Sequence, residues 1–322
     1  MTANRNVPFP TPCLRASGGP RCATIGRGRG LPAVEATPGA RHRIIFGDNL
    51  PVLRQLPDGS VDLIYVDPPF NTGRERRRAT LRTERAGSGE AGDRTGFLGR
   101  RYRTTRLEER AFPDAFDDYL GWLEPRLAEA RRVLAGHGTL YVHLDYREVH
   151  YVKVLLDGIF GRRCFLNEVI WAYDYGGRSR RRWPPKHDDI LVYVKDPRRY
   201  VFRLDEVDRI PYLAPGLVGP EKAARGKTPT DTWWQSIVGT KSREKTGYPA
   251  QKPLALLRRI VAASSRPGDL VLDFFAGSGT TGAAALALGR RFLLVDDNPQ
   301  AMEVMARRFA GVEGIEWIGW EP

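Results

Sequence analysis

The stretch LVLDFFAGSGTTGAAALALGRRFLLVD, residues 270–296, decides the fold. Its opening LVLDFFAG is a short apolar run without alternation, the pattern of a strand covered on both faces of a parallel sheet. Gly277 and Gly279 follow, where backbone must come close to a ligand at the carboxyl end of such a strand. SGTTGAAALALG then starts a helix, and RRFLLVD is the next strand, ending in Asp296 with Asp297 beside it. A carboxylate at that tip is placed to accept hydrogen bonds from ribose hydroxyls. The unit reads as a nucleotide-type site, against the plainer readings of a tight turn and a surface acid.

The same grammar extends outward. PLALLRRIVAAS (253–264) is a helix, RPGD (266–269) a turn, and Pro299–Phe309 a last helix. Near the other end, RIIFGDNL (43–50) reads as a strand running into a turn, PVLRQL (51–56) as a helix and VDLIYVDPPF (61–70) as a buried strand. In DDYLGWLEPRLAEARRVL (117–134), Leu120, Leu123, Leu127, Ala130 and Leu134 recur at helical spacing; the turn AGHG stops the helix and TLYVHL (139–144) is a strand. A helix over 151–160 and strands in NEVIWAY (167–173) and DDILVYV (188–194) complete the alternation. The class is α/β, with a doubly wound, mainly parallel sheet. Residues 41–322 are expected to form one catalytic domain, with 71–111 an Arg- and Gly-rich insert expected to be a mobile loop. Residues 196–248 are expected to be a small lobe, and 1–40 a disordered basic segment outside the fold.

The chain has 322 residues and a formal charge of +13. Residues 74–110 alone hold 12 Arg against six acids, and 1–40 hold five Arg against one Glu. Basicity on that scale suits a polyanionic partner, but both stretches also suit solvated chain. The N-terminus has no basic-then-apolar secretory pattern and no long apolar run occurs, so an intracellular, cytoplasmic protein is expected. Three cysteines without paired spacing, and histidines without ligand spacing, argue against disulfides and metal; His143, His150 and His187 are assigned no catalytic role.

Asp67-Pro68-Pro69-Phe70 is the sharper chemical signal. Two prolines directly after an apolar strand fix a rigid, extended turn and expose carbonyls. An amino group on an aromatic base is a poor nucleophile, because its lone pair is delocalised into the ring. The Asp67 carboxylate and the Pro68 carbonyl can bind both amino hydrogens and localise that pair as a methyl carbon approaches. Phe70 can stack on a base turned out of the duplex.

DPPF followed later by FAGSGTT resembles the amino-group DNA methyltransferases, and the order matches the permuted beta arrangement, in which the catalytic half precedes the cofactor half. GDNL (47–50), YVHLD (141–145), NEVIWAYDYGG (167–177), KHDDIL (186–191) and TGYPAQKP (246–253) match it as well, so the resemblance covers about Arg41 to Phe309. It implies a Rossmann-like fold, S-adenosyl-L-methionine as cofactor and double-stranded DNA as partner, with adenine N6 the favoured target. It admits a homodimer and a restriction nuclease or defence-system partner. It further implies a cofactor site of Asp48, Lys252, Asp273, Phe275, Gly277, Ser278, Gly279, Thr280, Thr281 and Asp296, a base site of Asp67 to Phe70, and target recognition within 196–248. Phe274, Ala250 and Asp296 stand where Pro, Thr and Glu are common in the family, and Asp296 shortens the reach to a ribose. Cytosine N4 is the nearest rival target, and an inactive recognition subunit or an RNA or protein-glutamine methyltransferase are rivals of other classes.

Arg178, Arg180, Arg181, Arg182 and Lys186 follow a Gly-Gly turn and are expected to clamp phosphates around the flipped nucleotide. Trp233 and Trp234 are expected to pack rather than to read DNA.

Overall fold

The computed structural model describes residues 41–73, 76–85, 94–95, 101–112 and 116–322, with backbone alone between 76 and 112. The segment 1–40, read as disordered, lies outside the described residues, as do parts of the 71–111 insert.

In chain order the elements are β1 (His42–Phe46), α1 (Asn49–Gln55), β2 (Val61–Val66), β3 (Arg76–Arg85), β4 (Arg94–Thr95), β5 (Arg101–Phe112), α2 (Tyr119–Val133), β6 (Leu134–Leu144) and α3 (Val149–Phe160). There follow β7 (Phe165–Ala172), β8 (His187–Val194), α4 (Pro220–Arg225), β9 (Thr232–Trp234), α5 (Leu254–Ser264), β10 (Leu270–Asp273), α6 (Thr280–Ala287), β11 (Arg291–Asp296), α7 (Pro299–Arg308) and β12 (Ile315–Ile318). Nine strands form one sheet in the order β12-β1-β11-β10-β2-β6-β8-β7-β9. From β12 to β6 every neighbour is parallel; β8 runs antiparallel to both β6 and β7, and β9 pairs parallel with β7.

Continuous apolar strands are what a sheet covered on both faces requires. One face is covered by α1, α2 and α3, whose Val52, Leu53, Leu123, Leu127, Val152 and Leu156 pack on Ile64, Val66, Leu140 and Val142. The other is covered by α5, α6 and α7, whose Leu257, Ile260, Ala284 and Met302 pack on Leu63, Tyr65, Val271 and Leu294. The expected doubly wound α/β class is therefore the observed one. The chain leaves β10 through α6 toward β11, and leaves β2 through α2 toward β6, on opposite faces and in opposite directions. A topological switch point thus lies between β10 and β2, where open α/β sheets bind ligands.

Three elements differ from expectation. Part of the insert read as a loop has strand backbone: β3, β5 and β4 form a separate antiparallel sheet. Residues 135–138, expected as a turn, are already strand; the register against β2 slips from Val61↔Leu134 to Leu63↔Thr139, so the four residues bulge within β6. Thr232–Trp234 adds an edge strand to the main sheet, burying Trp233 while Trp234 is 70% exposed, so only the first of the pair packs.

Candidate active site

Parallel strands point their carboxyl ends the same way, and here five of the six deliver an acid there. β10 and β11 end in Asp273 and Asp296, β2 and β6 are followed by Asp67 and Asp145, and β1 is followed two residues on by Asp48. A cleft of about 1190 Å³ opens over the ends of β1, β2, β10 and β11. Every expected cofactor and base residue lines it except Gly279.

On the β10–β11 side, Asp273 is buried. Its Oδ1 accepts the Phe275 N–H at 3.0 Å and its Oδ2 the Thr281 hydroxyl at 2.5 Å. Burial, with Asp67 and Asp296 nearby, pushes its carboxyl up to about 7 despite those bonds. Asp296 accepts the backbone N–H groups of Gly277 at 2.7 Å and Asn298 at 2.9 Å, and burial pushes it up to about 6. The shorter Asp is therefore tucked into the glycine turn, with its remaining lone pairs left for a ligand. Gly277 has φ +51, and a Cβ there would sit 3.0 Å from the Tyr248 ring. Gly279 serves packing instead: a Cβ would lie 2.8 Å from Met305 Cγ, against α7 and away from the cleft. Ser278 and Thr280 bond each other at 3.0 Å.

Asp48 caps α1 by accepting from Leu50 N and pairs with Arg126 at 3.0 Å. Arg126 also donates to Asn49 Oδ1 at 2.6 Å, and Asn49 donates to the Phe274 carbonyl at 2.8 Å, tying α2 and α1 to the glycine turn. Asn49 and Arg126 were not anticipated. The signal for Arg126 was an arginine on the buried stripe of an amphipathic helix, an expensive position unless it is paired.

On the β2 side, the Pro-Pro turn is closed by Asn71 at φ +50, a conformation Asn tolerates better than most residues. Its side chain accepts Phe116 N–H and donates to Glu148. Asp67 Oδ2 accepts from the Lys252 ammonium, which also lies 5.2 Å from the Phe70 ring centroid. Lys252, expected at the cofactor, is thus engaged with the carboxylate expected at the base. Asp67 Oδ1 is buried and has no hydrogen-bond partner among the described residues. Such atoms are uncommon, because an unpaired buried acceptor is costly. One oxygen of Asp67 is thus fixed and the other left as an open acceptor.

Among the described residues, the cations lining the cleft are Arg126 and Lys252, each already paired with an acid. Five aspartates line it as well: Asp48, Asp67, Asp273, Asp296 and Asp297. That balance suits a cationic nucleoside better than a pyrophosphate, which calls for unpaired donors and positive charge.

The loop after β7 carries Arg178, Arg180, Arg181 and Arg182, all exposed and outside the cleft. Lys186 Nζ closes the loop on the Gly176 carbonyl at 2.9 Å, and Arg182 reaches the Tyr146 hydroxyl, just beyond the end of β6. The loop therefore reaches the carboxyl end of β6. One His/Asp group, Asp62, His137 and Asp269, has metal-compatible spacing, but it lies at the opposite, amino edge of the strands, where Asp62 already accepts from His137 and Leu270. No helix among the described residues is long and apolar enough to cross a membrane.

Known proteins resemble this chain in sequence and in fold. The chain is 31% identical over 278 residues to the type II methyltransferase M.HpaI of Haemophilus parainfluenzae, covering 85% of this chain and 77% of that protein. It is 32% identical over 278 residues to the DNA adenine methyltransferase YhdJ of Escherichia coli (strain K12), covering 82% and 81%. The fold matches the S-adenosyl-L-methionine complex of TTHA0409 from Thermus thermophilus, a DNA modification methylase by its description, with TM-score 0.54 and 23% identity over 87% of this chain and 99% of that one. The sequence profile of the N6/N4 DNA methylases matches residues 61–307, and the chain belongs to that DNA methylase family.

Proposed function

We propose that the chain transfers a methyl group from S-adenosyl-L-methionine to the N6 amino group of adenine turned out of duplex DNA. The observation that carries this reading is Asp67 Oδ1, buried and unpartnered in the cleft, beside the Pro68 carbonyl and the Phe70 ring. Two acceptors meeting one amino group hold both of its hydrogens and favour a tetrahedral nitrogen with its lone pair aimed at the methyl carbon. Holding donor and acceptor together supplies the rest by proximity.

Asp273, Asp296, Asp48 and the Gly277 turn are the groups that would hold the cofactor, whose bound form supplies an electrophilic methyl group. An aspartate rather than a serine at position 67, and a DNA adenine methyltransferase among the relatives, favour adenine over cytosine. The loop 178–186 holds the phosphates flanking the flipped nucleotide, and the segment 196–248, which includes α4 and β9, reads the target. Such an enzyme works in the cytoplasm, on the chromosome.

Nucleoside mass spectrometry of mixed-sequence duplex DNA, after incubation with the protein and S-adenosyl-L-methionine, tests the reading. N6-methyladenine is the expected product. N4-methylcytosine would keep the chemistry and overturn the target; no modified base, with cofactor bound, would overturn the activity.

A further inference from the structure

Behind the catalytic turn a chain of polar side chains crosses three strands of the sheet. The Tyr65 hydroxyl of β2 lies 2.8 Å from His143 Nδ1 of β6. His143 Nε2 lies 3.2 Å from Asp188 Oδ2 of β8, and Asp188 Oδ1 accepts the Tyr173 hydroxyl at 3.2 Å. His143 has no exposed surface, Tyr65 is 2% exposed and Asp188 8%. The Phe70 and Trp171 rings lie 6.1 and 5.4 Å from the imidazole centroid.

Inside a sheet this is a costly set of groups, and tying three strands together does not need it. Its inner end lines the cleft: Tyr65 stands two residues before Asp67 on the same face of β2, and both line the same cavity.

The hydrogen-bond order has one consistent assignment with a neutral imidazole. Although burial opposes its charge, the bond from His143 and the nearby Lys252 hold the Asp188 carboxyl below its usual range. An ionised Asp188 only accepts, so His143 Nε2 carries the imidazole proton and Nδ1 is a bare acceptor. Tyr65 must then donate its single proton to Nδ1. Burial, with Asp67, Asp273 and Asp188 nearby, keeps that hydroxyl neutral. Its oxygen accepts a hydrogen bond from no group among the described residues.

Methylation of an amino group leaves the nitrogen with a methyl, two hydrogens and a positive charge, and one proton must go. We propose that Tyr65 is a catalytic residue that takes this proton, and that His143 and Asp188 are the positioning residues that receive and hold it. The inference rests on the proposed amino-methyl transfer. The nitrogen–hydrogen bond breaks and its electron pair stays on nitrogen. The hydrogen held by the Pro68 carbonyl, which is too weak a base to take it, passes to the Tyr65 oxygen while Tyr65's own proton passes to His143 Nδ1. The positive charge ends on an imidazolium between Tyr65 and the Asp188 carboxylate, and the reverse transfer to water resets the chain once product leaves. Asp67 is the other base at hand, but its Oδ2 is engaged with the Lys252 ammonium, and a proton left on its Oδ1 would take away the acceptor that holds the amino group.

The test is single-turnover methylation of duplex DNA by Tyr65→Phe, which removes one oxygen and keeps the ring. A fall of about 10²-fold in rate is expected, the low end for a lost acid–base group, with affinities for S-adenosylhomocysteine and DNA within about twofold of wild type. Asp188→Asn, which can still accept from His143 but cannot balance an imidazolium, is expected to show the same split between rate and binding. Wild-type rates from both variants would overturn the relay while leaving the enzyme's function in place. So would a rate loss explained wholly by weakened binding. A wild-type protein that binds cofactor and methylates no base would overturn the function itself, and the relay with it.

Discussion

Replacing Asp273 by Asn should stabilise the ligand-free protein at alkaline pH while crippling its cofactor site. Folded Asp273 keeps its proton up to about pH 7, because burial, with Asp67 and Asp296 nearby, outweighs its bonds to Thr281 and Phe275; the usual value is 3.8. The folded state therefore binds more protons than the unfolded state between those limits, and stability falls as pH rises through that window. At about 1.4 kcal/mol per pH unit, the penalty reaches a ceiling of about 4 kcal/mol above pH 7. Asn is isosteric, can accept from Phe275 N and donate to the Thr281 hydroxyl, and carries no charge to desolvate. Urea unfolding of both proteins from about pH 4 to about pH 8 should show no gain at the acid end and a gain of a few kcal/mol at the alkaline end. Calorimetry with S-adenosyl-L-methionine should show weakened binding throughout. A pH-independent difference, or a loss of stability at about pH 8, would refute the argument from burial.

Lys252→Gln should slow single-turnover methylation by at least about tenfold with cofactor affinity nearly unchanged, because the ammonium engages Asp67; a selective rise in cofactor Kd would put Lys252 at the cofactor instead. Replacing Arg178, Arg180, Arg181 and Arg182 together by Ala should flatten the slope of log affinity for DNA against log salt by about 3 to 4, and an unchanged slope would remove the loop from the phosphates. Gly279→Ala should cost about 1–3 kcal/mol in stability, from φ +71 and the clash with Met305, and pairing it with Met305→Ala should recover part of the loss in thermal unfolding.

Much of this was legible because the fold writes its strands as uninterrupted apolar runs and its site as the residues directly after them. VDLIYV before Asp67 and LVLD before the glycine turn need no distant information to be read. What was not legible depends on partners far away in sequence. Thr232–Trp234 is a strand only because β7 is there to pair with it, and Ile315–Ile318 only because β1 is. Gly279 looked like a ligand-facing glycine until Met305 and Phe309 of the last helical segment filled the space beside it. His143 lacked metal spacing, and its partners Tyr65 and Asp188 are 78 and 45 residues away, so nothing local marked it as more than a core residue. Lys252 was assigned by analogy to the cofactor; its engagement with Asp67 spans 185 residues and no periodicity carries it.

The place of β1 in the sheet bears on how the protein is made. Its two neighbours, β11 and β12, begin at Arg291 and Ile315, some 250 residues downstream of it. While the chain is still being synthesised, an apolar strand near its beginning has both edges unpaired, and β2 likewise waits for β10. Pairings of such long sequence separation form slowly and leave sticky edges exposed meanwhile. Asp67 leaves the ribosome some 200 residues before Asp273, which faces it across the cleft, so the proposed site cannot be assembled until β10 and β11 have emerged.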